Sequence, residues 1–230
     1  MKRGALAAIS VALMVGLIGP TQAQEVDFSP TWTFGLSTRK GKANPAVTID
    51  VAQELGEEEL AHVTLGIPAG FTLPQDDAIT DGEELGTGEI IINTGADCVA
   101  GTDGVPNEPP IPVSIVEVDR SEEQMSSGAV AVWRVDLQPV TTIDLVVTGS
   151  KTAGWSLDGD IPQNAATCPP FQFTATINPT SSETGTKLIV NPNPKRKKAY
   201  TFTAESQSTV GTLDSASQVI KIKGRPRKKH

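Results

Sequence analysis

Histidine is scarce in this sequence, which limits the acid–base chemistry that the chain can perform. Two histidines are present, and one of them, His230, is the last residue. A serine–histidine–aspartate triad needs an imidazole that moves protons beside a nucleophile. The other histidine, His62, alternates with Ala61 and Val63, so we expect it to point outward from a strand. No Gly-x-Ser-x-Gly nucleophile elbow occurs either, so the sequence offers no site for nucleophilic hydrolysis.

Carboxylates are abundant and supply the hard oxygen ligands that Ca²⁺ prefers. Two predicted loops hold five aspartates that are candidate calcium ligands: Asp76, Asp77, Asp81, Asp158 and Asp160. Neither group has the graded spacing and final glutamate of an EF-hand loop, and acidic loops also arise without metal in a chain this negative. Zinc is not indicated, because the two cysteines and the internal histidine lack ligand spacing.

The same carboxylates leave open a glycoside hydrolase or a carbohydrate-binding module. Sugar sites generally stack rings on aromatic side chains, and this chain holds three Trp, one Tyr and six Phe. Trp32 and Trp155 are the two that could be exposed, but we expect both to pack inside a sandwich. A carbohydrate-active protein is therefore the alternative hypothesis.

The first 23 residues have the pattern of a cleavable secretory signal peptide. Lys2 and Arg3 form a positive start, residues 4–19 are uncharged and mostly apolar, and Pro20 then breaks the run. Small residues precede a cleavage site after Ala23. An uncleaved anchor would need about 20 apolar residues, which this run does not reach. We therefore expect a bacterial protein that is secreted or held in the periplasm or cell envelope, with no transmembrane segment in the mature chain.

The mature chain keeps two cysteines, Cys98 and Cys168. In an oxidising compartment an even number of cysteines favours a disulfide bond. The alternative is a reactive thiol, but no histidine lies near either cysteine in the sequence. The sequence therefore predicts a structural Cys98–Cys168 bridge.

Charge divides the chain into an acidic body and a basic end. Residues 24–184 hold 25 acidic and 6 basic side chains, whereas residues 185–230 hold 11 basic and 2 acidic ones. Residues 224–230 form a predicted disordered tail whose candidate polyanion contacts are Arg225, Arg227, Lys228 and Lys229. Outside a cell the available partners are anionic envelope polymers or lipid headgroups, not nucleic acid. The tail could also fold onto the acidic body, pair molecules head to tail, or have no partner.

Alternation of apolar and polar residues indicates the fold class. Val47, Ile49 and Val51 share one face, and residues 171–177 alternate in the same way. Similar segments recur along the chain, including one at Leu188 and Val190, and predict ten to twelve short strands. Only residues 53–60 could form a helical turn. The sequence therefore predicts an all-β, antiparallel, immunoglobulin-like sandwich.

Predicted loops and domain limits follow the clusters of Pro, Gly, Asn and Asp. The loops are residues 75–84, 95–112, 121–128, 149–170 and 191–194. The body, residues 24–223, forms one sandwich or two small ones with a boundary near 95–112 or 165–170. A bridge between Cys98 and Cys168 would tie these two stretches together, which favours one compact unit.

Several strand ends and turns resemble those of secreted bacterial immunoglobulin-like proteins. The segments are residues 43–49 (ANPAVTI), 65–71 (LGIPAGF), 85–88 (LGTG), 168–176 (CPPFQFTAT), 185–192 (GTKLIVNP), 199–205 (AYTFTAE) and 217–223 (SQVIKIK). Together they comprise 49 of the 207 residues that follow Ala23. The resemblance implies a β-sandwich and secretion, and it supplies no catalytic residue. The basic run 195–198 stands where that group has a hairpin glycine.

These observations favour a secreted, non-enzymatic β-sandwich protein that binds a partner or serves a structural role in the envelope or outside the cell. Few aromatics, one internal histidine and no nucleophile motif all argue against the hydrolase alternative.

Overall fold

The computed structural model describes residues 28–54, 57–94, 110–137, 141–162 and 167–224, except for the side chains of Asp76 and of residues 92–94 and 167–171. Eleven strands lie within these residues, as the alternating pattern predicted. The strands are β1 Thr31–Leu36, β2 Val47–Gln53, β3 Leu60–Ile67, β4 Glu84–Thr94, β5 Ile111–Val118, β6 Ala131–Leu137, β7 Thr141–Ser150, β8 Gly154–Asp160, β9 Thr167–Ile177, β10 Lys198–Ser208 and β11 Leu213–Ile222. The all-β prediction is confirmed.

Helix is confined to two short segments in the described chain, both inside predicted loops. They are a 3-10 turn, Asp76–Ala78, and the helix α1, Glu122–Ser126. A capping box starts α1, because the Ser121 hydroxyl accepts from the Gln124 amide and the Gln124 side chain accepts from the Ser121 amide. No described helix has the length and apolar character needed to span a membrane.

The segment predicted as a helical turn, residues 53–60, instead joins two strands. Gln53 ends β2 and Leu60 begins β3. Between them, the amide of Glu57 donates to the carbonyl of Glu54 at 3.3 Å, while residues 55 and 56 lie outside the described part.

The strands form one antiparallel sheet in the order β1-β2-β9-β4-β5-β6-β7-β8-β3-β10-β11. The sheet curls until its two edge strands approach each other. At this seam the Phe34 amide of β1 donates to the Gln218 side chain of β11 at 2.7 Å. Curling protects both edges, which would otherwise expose unpaired backbone groups. Because the hydrogen-bond order is continuous, the two-sheet immunoglobulin-like arrangement is not confirmed.

Two local predictions are wrong. Strand β8 lies within the predicted loop 149–170, whose glycines and aspartates suggested turns although Trp155 and Leu157 alternate inward. Conversely, Leu188 and Val190 do not belong to a regular strand. Leu188 is buried, and Val190 makes one isolated bridge to Thr72. Leu188 is therefore buried as part of a coil segment and not of a strand.

The core contains an aromatic cluster. Phe34 stacks on Phe202 with ring centroids 5.7 Å apart, and Phe71 meets Tyr200 and Phe202 edge to face at 5.5 and 5.2 Å. Such pairs stabilise a core beyond the burial of their surface. Residues distant in sequence therefore hold the curled sheet together.

The two tryptophans that could have been exposed pack against the protein, as expected. Trp155 is buried, and its Nε1 donates to the carbonyl of Phe71 at 3.0 Å. Trp32 is half-buried, and its Nε1 donates to the hydroxyl of Ser206 at 2.9 Å. Trp155 therefore offers no open ring face for a sugar, and Trp32 is partly covered by the core residues it packs against.

Several predicted features lie outside the described residues: the signal peptide 1–23, Cys98, and the tail residues Arg225, Arg227, Lys228 and Lys229. The backbone of Cys168 belongs to β9 and pairs with Asn93 of β4, but its side chain is outside the described part. The disulfide bond therefore stays a prediction. Residues 95–109 of the first suggested domain boundary and residues 165 and 166 of the second also lie outside the described residues. The strands that flank residues 95–110, β4 and β5, pair directly with each other.

Candidate functional site

The pairing of β3 with β8 places one histidine beside two of the predicted calcium ligands. His62 lies opposite Asp160, and Thr64 lies opposite Asp158. Directly opposed residues of an antiparallel pair project to the same face of the sheet. Because Val63 and Leu65 point into the core, these four side chains share the outer face.

Both ring nitrogens of His62 face carboxylates. Nδ1 lies 2.8 Å from Oδ1 of Asp160, and Nε2 lies 3.3 Å from Oδ2 of Asp158. The hydroxyl of Thr64 donates to the same Asp158 oxygen at 2.7 Å. A neutral imidazole donates from one nitrogen only, whereas the imidazolium donates from both. The arrangement therefore fits the charged form of His62.

The electrostatic balance at this site favours the same form. Partial burial lowers the pKa of His62, but the hydrogen bond that its ring donates to Asp160 and the charge of Asp158 outweigh this effect and raise the pKa above its ordinary value. The His62 side chain is 31% exposed and those of Asp158 and Asp160 are 49% and 93% exposed, so water still screens the pair. The geometry and the raised pKa both favour the imidazolium form of His62, between two aspartates on the sheet surface.

Thr64, His62 and Asp160 have the connectivity of a nucleophile, a base and an orienting carboxylate, but not the required proton positions. The Thr64 hydroxyl is 3.3 Å from Nε2 and closer, at 2.7 Å, to Asp158, which receives its proton. A general base must be neutral before reaction, and this imidazole is biased toward its charged form. The cluster therefore links two strands, with the Thr64 hydroxyl directed to Asp158.

The structure also changes the interpretation of the calcium candidates. Asp158 and Asp160 lie in β8, not in a loop, and His62 is their cation. In the other group, Asp81 accepts the amide of Asp119 at 3.1 Å, and the Asp76 side chain lies outside the described residues. The part of the chain that the structure describes contains no group of three or more potential metal ligands.

A second ion pair continues the charged row across the sheet. Nε and Nη2 of Arg134 in β6 donate to the two carboxylate oxygens of Asp144 in β7, at 2.7 and 2.9 Å. Asp144 shares the outer face with Asp158, because Asp158 pairs with Val146 two residues along β7. This fork-shaped contact is the stronger kind of surface ion pair.

Glu83 is a buried carboxylate that sequence reasoning placed in an acidic loop. Its side chain accepts the amides of Glu183 and Thr184 at 2.7 Å and the amide of Thr80 at 3.2 Å. Burial alone raises its pKa, but hydrogen bonds from Ser181, Thr184, Thr80 and Glu183 outweigh this effect and lower the pKa to about 2. Glu83 therefore joins two coil segments as a structural anion.

Glu83 should make the stability of the protein depend on acid. Because its pKa is lowered in the folded state, its contribution is complete above the ordinary value of 4.5 and is lost as the pH falls toward about 2. Urea unfolding of Glu83→Gln should show a smaller loss of stability between these pH values than the wild type. Glu89→Gln, an exposed change on β4, is the matched control and should keep the wild-type profile. Equal profiles for all three proteins would contradict this role.

His62 should act in the opposite pH range. Because its pKa is raised in the folded state, its contribution is complete below the ordinary value of 6.5 and disappears as the pH rises through the raised value. His62→Gln should lose about 0.2–1 kcal/mol at about pH 5.5 and almost nothing at about pH 9, as expected for an exposed ion pair. Urea unfolding measures the difference.

The second histidine provides the control for this prediction. His230→Gln should not change the pH dependence, and NMR titration should show a pKa of the His62 ring above its ordinary value. Asp160→Asn should lower the pKa of His62, because it removes the hydrogen bond to a carboxylate that does most to raise this pKa against the effect of burial. A His62 ring that titrates at or below 6.5 in the wild type would contradict the charged arrangement.

Comparisons with known proteins give no relative from which a role could be carried over. No family model, curated protein or solved structure matches the chain.

Sequence reasoning missed that His62, Asp158 and Asp160 form one cluster. His62 was expected on the surface and the aspartates in a loop, so the two were treated separately. The available signal was the alternation of Trp155 and Leu157 with polar residues, which continues through Asp158 and Asp160.

Proposed function

We propose that this chain is an exported, non-enzymatic β-sheet protein that binds a partner or has a structural role in the cell envelope or outside the cell. The observation that carries this proposal is the state of His62, the only internal histidine. Asp158 and Asp160 hold it as a cation on an open sheet face, where it is a poor proton acceptor. The signal-peptide pattern of residues 1–23 supports export.

Aromatic burial favours this proposal over an extracellular glycoside hydrolase or carbohydrate-binding module. Of the described residues, the large apolar side chains with the greatest exposure are Met125, Val210, Leu213 and Val219, and none of these is aromatic. A sugar platform needs an accessible ring face, so the described surface offers poor support for one.

We also infer that the curled sheet is a variant of the immunoglobulin-like sandwich, with its two halves facing each other across one core. One buried hydrophobic cluster, to which all eleven strands of the curled sheet contribute, supports this interpretation. The partners of such a protein are anionic envelope polymers or lipid headgroups, contacted through the basic carboxyl-terminal end. No cofactor is part of the proposal.

Expression of the full chain in a bacterium, followed by fractionation, tests the location. We expect the protein in the periplasm, envelope or medium, with a mature amino terminus at Gln24 by mass spectrometry. Unreduced peptide mapping should join Cys98 to Cys168. An intact Met1 and recovery only from the cytoplasm would refute export, and turnover of a glycoside panel by the purified protein would refute the non-enzymatic role.

A further inference from the structure

The fold gathers basic residues that are far apart in the sequence. Three exposed segments contribute, and together they define the basic pole. Its nine residues are Arg39, Lys40, Lys42, Lys195, Arg196, Lys197, Lys198, Lys221 and Lys223. The sequence alone indicated a basic carboxyl-terminal end, but it gave no reason to join the segment 39–42 to it.

Backbone contacts hold the three segments side by side. Lys40 and Lys223 form a parallel bridge, the Lys223 amide donates to the Arg39 carbonyl at 2.7 Å, and the Gly41 amide donates to the Lys223 carbonyl at 3.2 Å. On its other side, the end of β11 pairs with the start of β10, where Lys198 lies opposite Ile222. Neighbouring strands in a sheet lie about 5 Å apart, so the three basic segments lie side by side at one end of the sheet.

The charges of the basic pole are not balanced locally. The segments 37–46, 186–204 and 217–224 contain no Asp or Glu. None of the nine side chains forms an ion pair with a described carboxylate, although residues 24–184 hold 25 acidic side chains. Concentrated like charge costs folding free energy and attracts counter-ions of the opposite sign. The pole therefore has the electrostatics of a binding surface for an anion.

The surrounding surface distinguishes between kinds of anionic partner. Met125 lies in α1, and Val210 and Leu213 lie at the other end of the β10–β11 hairpin, so of the four most exposed apolar side chains only Val219, two residues from Lys221 on β11, lies beside the pole. A protein that docks on a bilayer commonly inserts such residues between the lipids. Seven of the nine charges are lysines, which act as flexible point charges and do not impose fixed geometry. These features favour a long polymer over a membrane or a compact ligand.

We propose that the basic pole binds a linear, phosphate-bearing polymer of the cell envelope. This inference rests on the proposed function and specifies the partner class. The sequence after Gly224 holds four more arginines and lysines, whose contribution is tested separately by deletion. Binding then depends on charge number and weakens as salt displaces it.

Long-chain inorganic polyphosphate is a suitable probe, titrated into the purified mature protein at about 50 and about 200 mM salt. The decisive variant is Arg39→Ser/Lys40→Ser/Lys42→Asn, which leaves residues 185–230 unchanged. Asparagine is used at position 42 because Lys42 has φ 64°, a conformation that asparagine tolerates. The carbonyls of Thr38 and Lys40 that accept from Asn191 also remain, so the turn should keep its structure.

We expect wild-type binding that weakens with salt and a loss of about 100-fold in the triple variant, from about 1 kcal/mol for each basic residue. The single change Lys40→Ser should weaken binding about fivefold on the same basis. Lys187→Ser, the same change at an exposed lysine beside the Glu83 loop, is the matched control and should bind within about twofold of the wild type. Thermal unfolding verifies that each variant is folded.

Four results would overturn the inference. Polyphosphate binding that survives the triple change and is lost only on deletion of residues 225–230 would assign it to the tail. Binding to phosphatidylglycerol vesicles without polyphosphate binding would assign the pole to a bilayer. Tighter binding to duplex DNA at equal charge would assign it to nucleic acid, and no binding to any probe would leave the pole without this role.

Failure of this inference can be told apart from failure of the proposed function. An exported protein that ignores polyphosphate would contradict the inference alone. A cytoplasmic protein whose pole still binds the probe would contradict the proposed function alone.

Discussion

Replacing Phe71 with alanine should lower the free energy of unfolding by about 3–5 kcal/mol, the range for removing a large aromatic side chain from a core. Phe71 is fully buried and packs edge to face against Tyr200 and Phe202. It belongs to no regular strand, and its carbonyl accepts from the Trp155 indole. It therefore links the segment that follows β3 to strands β8 and β10, and urea unfolding measures the loss.

The matched comparisons for Phe71 are a smaller change at the same position and a similar truncation on the surface. Phe71→Leu keeps most of the volume and should lose clearly less stability than the alanine variant. Val219→Ala removes apolar volume from a side chain that is 57% exposed and should change stability by less than about 0.5 kcal/mol. A loss below about 1 kcal/mol for Phe71→Ala would show that the cluster does not support the fold.

Gly88→Ala should be the second strongly destabilising change. A Cβ atom at position 88 would lie 2.1 Å from the carbonyl oxygen of Thr174 and 2.9 Å from the Cα of Ala175, both in the backbone of β9. A side chain can rotate away from a clash, but a paired strand must move as a whole. We expect a loss of about 3 kcal/mol, at the upper end of the usual overpacking cost.

Gly35→Ala provides the control, because it makes the same change in a strand without the close approach. The nearest heavy atom to a Cβ at position 35 is the Thr48 Cβ at 3.4 Å, an ordinary contact. We expect this variant to stay within about 1 kcal/mol of the wild type. Equal stability of the two variants in urea, or unchanged hydrogen exchange in β4 and β9, would contradict the tight β4–β9 approach.

Much of the local structure follows from residue alternation. In β2, Val47, Ile49 and Val51 are all buried while the residues between them are not, as the period of two requires. The outward position of His62 was predicted by the same rule. Such assignments succeed because the direction of a strand side chain depends only on its neighbours in the chain.

Local rules failed where the residue types indicate a different secondary structure from the one that forms. Strand β8 contains Gly154, Gly159 and two aspartates, which usually indicate turns, but its pairing with β3 and β7 holds it extended. Leu188 and Val190 were part of a predicted strand and instead lie in coil, where Leu188 is buried and Val190 makes one isolated bridge. In both places contacts with distant segments outweigh the local preference.

The sequence by itself determined the β-rich class, the acidic body and the basic carboxyl-terminal end, because composition and alternation are local properties. Only the tertiary structure decided which strands are neighbours. That order places His62 between Asp158 and Asp160, and it brings Lys40 against Lys223. The physical reason is that alternation fixes the face on which a side chain lies but not the partner strand, which is selected by packing across the whole core.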